Sequence, residues 1–369
     1  MNILAINWRC IKNPEMGGAE IHFHEIFKRI VSRGHNVTLI AHQFPNALQQ
    51  EIIDGIKIIR IGNRYFFNRQ FKYFYKQILS FEKFDLVVDD ISKIPLFTPA
   101  YIKKPIVGIV HHIHGNSLYK EIAAPLAYYI ISQEKKIPKY YYNTPIFSVS
   151  ESTKRELIEL GQPEDKIDFL YNAIDQDLFK YTPVVKEKTP LLVYVGRIKK
   201  YKNLENIIAA VEILKGTVPN LKFVIAGSGS YLDNLKKIVN SKNLQNWIEF
   251  RGYITEIEKA RLLGAAWLFI TTPIKEGWGI TVIEANAMGT PVIGSDVPGL
   301  RDSIKNNETG ILTPPNDPVK LFQEIYSLIT NHQKRNKLSE EALNWSKQFN
   351  WEYSADHFLK KINDWYSLQ

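Results

Sequence analysis

The sequence predicts an α/β protein made of two doubly wound parallel-sheet domains facing each other across a cleft. Three observations carry this expectation. A length of 369 residues is too great for one ordinary core. Short β-rich apolar runs alternate with helical patterns, which implies parallel sheets covered on both faces. A polar, proline-containing break, IDQDLFKYTPVVKEKTP, interrupts that rhythm around residues 176–189 before Pro190 starts it again.

In the first half the strand-like runs are ILAIN, VTLIA, IKIIRI, DLVV, PIVGIV, PIFSV and DFLY. The segment after Gly18 shows the intervening helices: Phe23, Phe27, Ile30 and Val31 recur at helical spacing and Gly34 is placed to stop the helix. In the second half the runs are PLLVYV, LKFVIA, WIEF, WLFI and PVIG, and WEYSADHFLKKINDWYSL reads as a last helix. The expected division is therefore 1–180, 181–350 and a closing helix over 351–369.

Hydrophobic content of 45% and charged content of 23% are those of a folded globular chain. One cysteine, Cys10, excludes an internal disulfide framework, and nine scattered histidines offer no CxxC or HExxH spacing, so no metal is expected. The opening residues, MNILAIN, read as a buried first strand rather than a signal peptide. No apolar run approaches the ~20 residues that span a bilayer. A cytoplasmic protein is the expectation. The net charge of +9 is spread over both halves, 23 basic against 19 acidic residues up to Lys180 and 24 against 19 beyond it. That charge suits phosphates, anionic lipid or nucleic acid without choosing among them.

Ligands of open α/β sheets sit at the carboxyl ends of strands, and four such ends stand out. In PEMGGAE, Gly17 and Gly18 would let backbone N–H groups approach an anion at a helix start, although a plain capping turn uses the same residues. In VGRIKKYKN, Arg197 can grip phosphate oxygens in a fork and Lys202 can supply a mobile charge, whereas Lys199 and Lys200 read as a solvated basic loop. The AGSGS turn, with Gly227 and Gly229, is a weaker signal that a tight strand-to-helix turn explains equally well. In EGWGITVIE, Glu276 lies in a glycine-containing loop, with the amides of Gly277 and Gly279 and the flat face of Trp278 beside it. Helical character begins near Ile280 and Thr281, so Glu284 also reads as a carboxylate near a positive helix end. An acidic acceptor, exposed amides and an aromatic plane are what a sugar hydroxyl array joined to a phosphate requires.

These residues resemble a family. EGWGITVIEANAMGTPVIGSDVPGL, with NETGILTPPND after it, is similar to the family 4 retaining glycosyltransferases of GT-B fold, whose signature is two glutamates separated by seven residues. GGAE, SVSESTKRELIELG, YNAIDQDLF, VGRIKKYKN, AGSGS and FRGYI extend the resemblance over nearly the whole chain. It implies a metal-independent, retaining hexosyltransferase with a nucleotide sugar as co-substrate and no cofactor. Residues 1–180 would bind the acceptor, 181–350 the donor, and 351–369 would cross back to the first domain.

Carried over by residue, Arg197 and Lys202 neutralise the donor diphosphate, helped by the amides of Gly17 and Gly18 and of the helix start at Ile280 and Thr281. Glu284 accepts from the ribose hydroxyls; Glu276 with Gly277, Trp278 and Gly279 holds the sugar; and Gly227, Gly229 and Tyr253 border the base. The family also places a histidine beside the transferred sugar. In VHHIHG the first choice is His111, then His112, then His114. Asn172-Ala173 departs from the family's Asn-Gly, which puts the local turn in question.

UDP-sugars are favoured over GDP-sugars, and polysaccharide or glycolipid assembly is the expected setting, with a saccharide or lipid-linked acceptor. From Lys57 to Lys76 there are six basic residues, no acidic one and seven aromatics. Phe67, Phe71, Phe74 and Ile78 fall on one helical face, with Arg69, Lys72 and Lys76 opposite. The helix either packs its aromatics on the sheet or lies in an anionic membrane surface on the inner face of the cell membrane. The rival readings are a GT-B sugar-nucleotide 2-epimerase, which the paired glutamates disfavour, and a basic nucleic-acid-binding protein, for which no module is found.

Overall fold

A computed structural model of the protein describes residues 1–120, 122–180 and 185–368. The chain folds as two compact units: Met1–Ala173 together with the segment from Trp351, and Ile174–Asn350. The division comes at 173/174, seven residues before the expected 180/181, and residues 181–184 lie outside the described residues.

The N-terminal unit contains β1 (Asn2–Ile6), β2 (Asn36–His42), β3 (Gln50–Ile53), β4 (Ile56–Ile61), β5 (Leu86–Asp90), β6 (Ile106–Val110), β7 (Ile146–Ser148) and β8 (Ile167–Phe169). Their order is β3-β4-β2-β1-β5-β6-β7-β8. All pairs are parallel except β3 with β4. β1, β2 and β5 are almost wholly buried, as strands covered on both faces must be, and β5 closes on the buried aspartates Asp89 and Asp90. The helix Gly18–Ser32 buries Phe23, Phe27 and Ile30, and Gly34 follows it with φ +88°, a left-handed stop. Against that helix lies Trp351–Tyr366, through Phe27 on Phe358 with ring centroids 5.3 Å apart and through the ion pairs Arg29–Glu352 (2.6 Å) and Arg33–Asp356 (2.7 Å).

The C-terminal unit contains β9 (Leu191–Val195), β10 (Lys222–Ala226), β11 (Ile248–Gly252), β12 (Leu268–Thr271), β13 (Val292–Ser295) and β14 (Gly310–Thr313). They run β11-β10-β9-β12-β13-β14, every pair parallel. Counted within this unit the order is 3-2-1-4-5-6, the doubly wound dinucleotide-binding arrangement, with its switch point between β9 and β12. A core of Leu192, Tyr194, Ile207, Val211, Phe223 and Leu268 holds helices to this sheet. The consequence for function is positional. In sheets of this order ligands sit at the carboxyl ends of the strands that flank the switch point, here β9 and β12.

Candidate active site

Arg197 and Lys202 lie in the chain that leaves β9, and Glu276 in the chain that leaves β12. Lys202 Nζ is bonded to Glu276 Oε2, and both side chains are largely buried. Burial pushes the ammonium down, but the Glu276 carboxylate outweighs it and holds Lys202 above the usual lysine range. Two residues assigned separate tasks from sequence are thus one ion pair across the switch point. Arg197 is exposed and donates from Nη2 to the Tyr201 hydroxyl at 3.3 Å.

The AGSGS turn is the tight strand-to-helix turn that the sequence also allowed. A Cβ on Gly227 would stand 1.9 Å from the Gly196 carbonyl oxygen, and one on Gly229 would stand 2.1 Å from that of Ile198. The two backbones are laced by Gly196 N donating to Ala226 O at 3.0 Å and Ile198 N donating to Ser228 O at 2.8 Å. The glycines therefore let the turn lie against the Arg197 loop, and the Gly227 amide is engaged by the Gly252 carbonyl at 2.6 Å. Gly227→Ala should lower stability by about 1–3 kcal/mol, through overpacking of backbone on backbone, read as a lower denaturation midpoint. Tyr253, just past β11, is 77% exposed.

The Glu276 loop ends at Gly279, whose φ of +88° and ψ of +70° make it a left-handed entry to the helix Ile280–Ala287. Its path is set by the neighbouring loop: a Cβ on Gly299 would lie 2.3 Å from the Glu276 carbonyl oxygen. Gly277, Ile280 and Thr281 are intermediate in exposure, and the first turn of the helix carries the orphan N–H groups that suit an anion. Trp278 corrects the sequence reading. It is only 4% exposed, with its ring 5.3 Å from that of Phe349, so the indole packs inside the unit instead of presenting a face to a ligand.

Glu284 is the fifth residue of its helix, past the first turn, and only 6% exposed. Its Oε1 accepts from Lys259 Nζ at 2.8 Å, while Oε2 has no hydrogen-bond partner among the described residues. Burial raises the carboxyl above its ordinary range and Lys259 works against that rise. The helix-end explanation therefore gives way to a buried ion pair with one open acceptor. Lys259 was missed from sequence. It stands on the helix Glu256–Ala265, and EIEKARLLG carries no sign that its lysine turns inward to a carboxylate 25 positions on.

In the N-terminal unit, Gly17 caps the helix Gly18–Ser32 and its amide donates to Glu20 Oε2 at 2.6 Å. That amide is engaged by the capping box. Gly18, the first helical residue, begins the turn of orphan N–H groups. His111 follows β6 with Nε2 3.2 Å from the Asp90 carboxylate. His112 and His114 face each other through their Nε2 atoms at 2.9 Å, and His114 Nδ1 is 2.9 Å from Glu134 Oε1. Neither Asn172 nor Ala173 adopts a positive φ, so the alanine in place of the family's glycine is unstrained.

The helix Phe67–Gln77 also needs correction. It buries Phe67, Phe71 and Tyr75 against Leu4, Ile6 and Ile40, whereas Ile78, assigned to the buried face, is 49% exposed. Tyr65, Phe66, Tyr73 and Phe81 stand exposed around it, among Arg64, Arg69, Lys72 and Lys76. A hollow of about 490 Å³ is lined by Phe66, Arg69, Tyr73 and Phe74.

Two family models match the chain. Residues 175–345 match the model described as glycosyl transferases group 1, and residues 16–178 that of glycosyltransferase family 4. An uncharacterised glycosyltransferase of Methanocaldococcus jannaschii is 25% identical, covering 100% of this chain and 98% of the relative. Among solved structures, sucrose-phosphate synthase from Thermosynechococcus elongatus superposes with a TM-score of 0.82 at 19% identity, covering 99% of each chain. Anabaena HepE, solved with UDP and glucose, gives 0.79 at 16% identity, covering 99% of this chain and 100% of that one. With the two family matches meeting near the middle and a GT-B fold in both neighbours, the chain belongs to the family 4 glycosyltransferases and is a glycosyltransferase of the group 1 type.

Proposed function

We propose that the protein transfers a hexose from a nucleotide-sugar donor, UDP-linked in preference to GDP-linked, to a hydroxyl of a saccharide or lipid-linked acceptor. The reaction retains configuration and needs no metal. The observation that carries this reading is the buried Glu284 carboxylate, tied to Lys259 by one oxygen and open at the other. A ribose hydroxyl is a neutral donor of the kind such an oxygen lacks, and a buried acceptor left unmade costs free energy that the ligand would restore.

Around it, Arg197 and Lys202 take the diphosphate together with the amides at Ile280 and Thr281. Glu276 takes the sugar hydroxyls while keeping Lys202 charged. The acceptor hydroxyl attacks C1 on the face the diphosphate leaves. The C1–O bond to phosphate breaks, the new C1–O bond forms on that side, and the acceptor proton passes to a leaving phosphate oxygen. Fixed cations supply the charge stabilisation of the departing group.

The reading is tested with the purified chain, nucleotide sugars and a saccharide acceptor, following the product's anomeric signal by NMR in the presence of EDTA. Retained configuration and undiminished turnover in EDTA are expected. Inverted product, metal-dependent turnover, or conversion of the donor to its epimer without transfer would each contradict a named part.

The exposed aromatic and basic surface around Phe67–Gln77 supports a lipid-linked acceptor, with the protein peripheral on an anionic cytoplasmic leaflet. Among the described residues no helix is long and apolar enough to cross a membrane. Aromatic rings at headgroup depth and about 1 kcal/mol per basic residue would hold the surface there. Co-sedimentation at low salt should find the protein on anionic vesicles and not on zwitterionic ones. Arg69, Lys72 and Lys76 changed together to Ala should weaken it about a hundredfold.

A further inference from the structure

The ring of His111 is held from two sides within the N-terminal unit. β5 and β6 run parallel with Asp90 opposite Ile109. Side chains two apart along a strand share a face, so Asp90 and His111, one step past the end of β6, project to the same side. The carboxylate lies 3.2 Å from His111 Nε2. Asn7, just past β1, fixes that carboxylate by donating from Nδ2 at 2.8 Å. Three neighbouring strand ends thus contribute one chain of contacts, Asn7 to Asp90 to His111.

From the helix Gly18–Ser32, His22 meets the His111 ring edge-on with centroids 5.0 Å apart. A carbonyl oxygen only accepts, so the 2.9 Å contact between His22 Nε2 and Leu170 O makes His22 the Nε2–H tautomer. Burial, with His111 beside it, holds His22 well below the ordinary histidine range. His22 is therefore a neutral wall, and the pair admits one cation, on His111.

We propose that Asp90 is a positioning residue for His111: by accepting a hydrogen bond from Nε2–H it fixes the ring and leaves Nδ1 as the nitrogen open to a substrate hydroxyl. This rests on the transferase reading above. Nδ1 has no partner among the described residues. The charged and titratable groups facing the imidazole are Asp90 from β5 and Glu20 and His22 from the helix Gly18–Ser32, with Arg9 3.8 Å from Glu20. Burial pushes His111 down, but Asp90 and then Glu20 outweigh burial and the net shift is upward. Both ring nitrogens then carry protons to higher pH than in a free histidine, which widens the pH range over which Nδ1 can donate.

The test is a side-chain 15N titration of the histidines in the full-length protein, assigned by His111→Gln, alongside transfer kinetics. In the unaltered protein Nε2 of His111 should stay protonated through the titration while Nδ1 loses its proton. Asp90→Asn should lower the His111 midpoint by at least about one pH unit, as loss of a neighbouring carboxylate does. It should also reduce kcat about tenfold to a hundredfold with the donor KM nearly unchanged, and Asp90→Glu should restore part of it. An unshifted midpoint in Asp90→Asn, or Nε2 as the nitrogen that deprotonates in the unaltered protein, overturns the proposal. The second readout is taken on the unaltered protein and does not depend on Asp90→Asn folding. An unaltered protein that transfers no sugar defeats the functional reading instead, whatever the titration gives.

Discussion

Lys202→Ala lowers turnover by about two to three orders of magnitude, the loss expected when a preorganised charge on the departing diphosphate is removed. The ion pair with Glu276 sharpens this expectation. Without its lysine, the Glu276 carboxylate stands uncompensated at the mouth of the switch point and repels the phosphates it was meant to sit beside. Glu276→Gln removes that repulsion along with the sugar contact, so the two changes do not act independently. In transfer assays the double variant should lose less than the product of the single losses, with a coupling energy of about 1–3 kcal/mol. Unchanged turnover in Lys202→Ala and Arg197→Ala would remove both from the donor site. Strict multiplicativity would mean that the pair is an accident of the ligand-free state.

Glu284→Gln weakens nucleoside diphosphate binding by about tenfold to a hundredfold, the size of one hydrogen bond to a charged acceptor. Choice of sugar is left nearly alone, whereas Glu276→Gln shifts sugar use more than nucleotide affinity. Titration calorimetry with diphosphate alone and with the nucleotide sugar separates the two. Lys259→Met has a different signature, because it leaves a buried carboxylate without its cation. Stability falls by about 3–5 kcal/mol, the cost of breaking a buried pair on one side, and the Glu284 carboxyl rises further. A diphosphate affinity unchanged by Glu284→Gln would move the ribose elsewhere.

Where the candidate residues fall in the fold could be read from the chain because they lie in short contiguous stretches. VGRIKKYKN and EGWGITVIE each follow a strand, and glycines mark where backbone must turn before a helix. What could not be read depends on pairing across the sheet. Lys259 and Glu284 meet only when two helices pack side by side, and Asp90 meets His111 only through the register of β5 on β6. Trp278 read as a ligand platform because an aromatic in a glycine loop is normally exposed, yet the turn at Gly279 directs it onto Phe349. Among strands, β3 was missed because, as an antiparallel edge, it alternates exposed with half-buried residues, and β14 because four residues, GILT, make a weak signal. The face of Phe67–Gln77 was misjudged by less than a turn, since Tyr75 has the apolar body to replace Ile78 at the sheet.

The central claim is that the carboxyl ends of β9 and β12 hold a sugar nucleotide, and the most direct measurement is thermal denaturation against a panel of nucleoside diphosphates and their sugars. One diphosphate, UDP before GDP, should raise the midpoint steadily with the logarithm of its concentration, as a ligand of the native state must. That rise should shrink in Glu284→Gln and in Lys202→Ala. A midpoint that no nucleotide moves at millimolar concentration, or one that moves equally in both variants, would contradict the account.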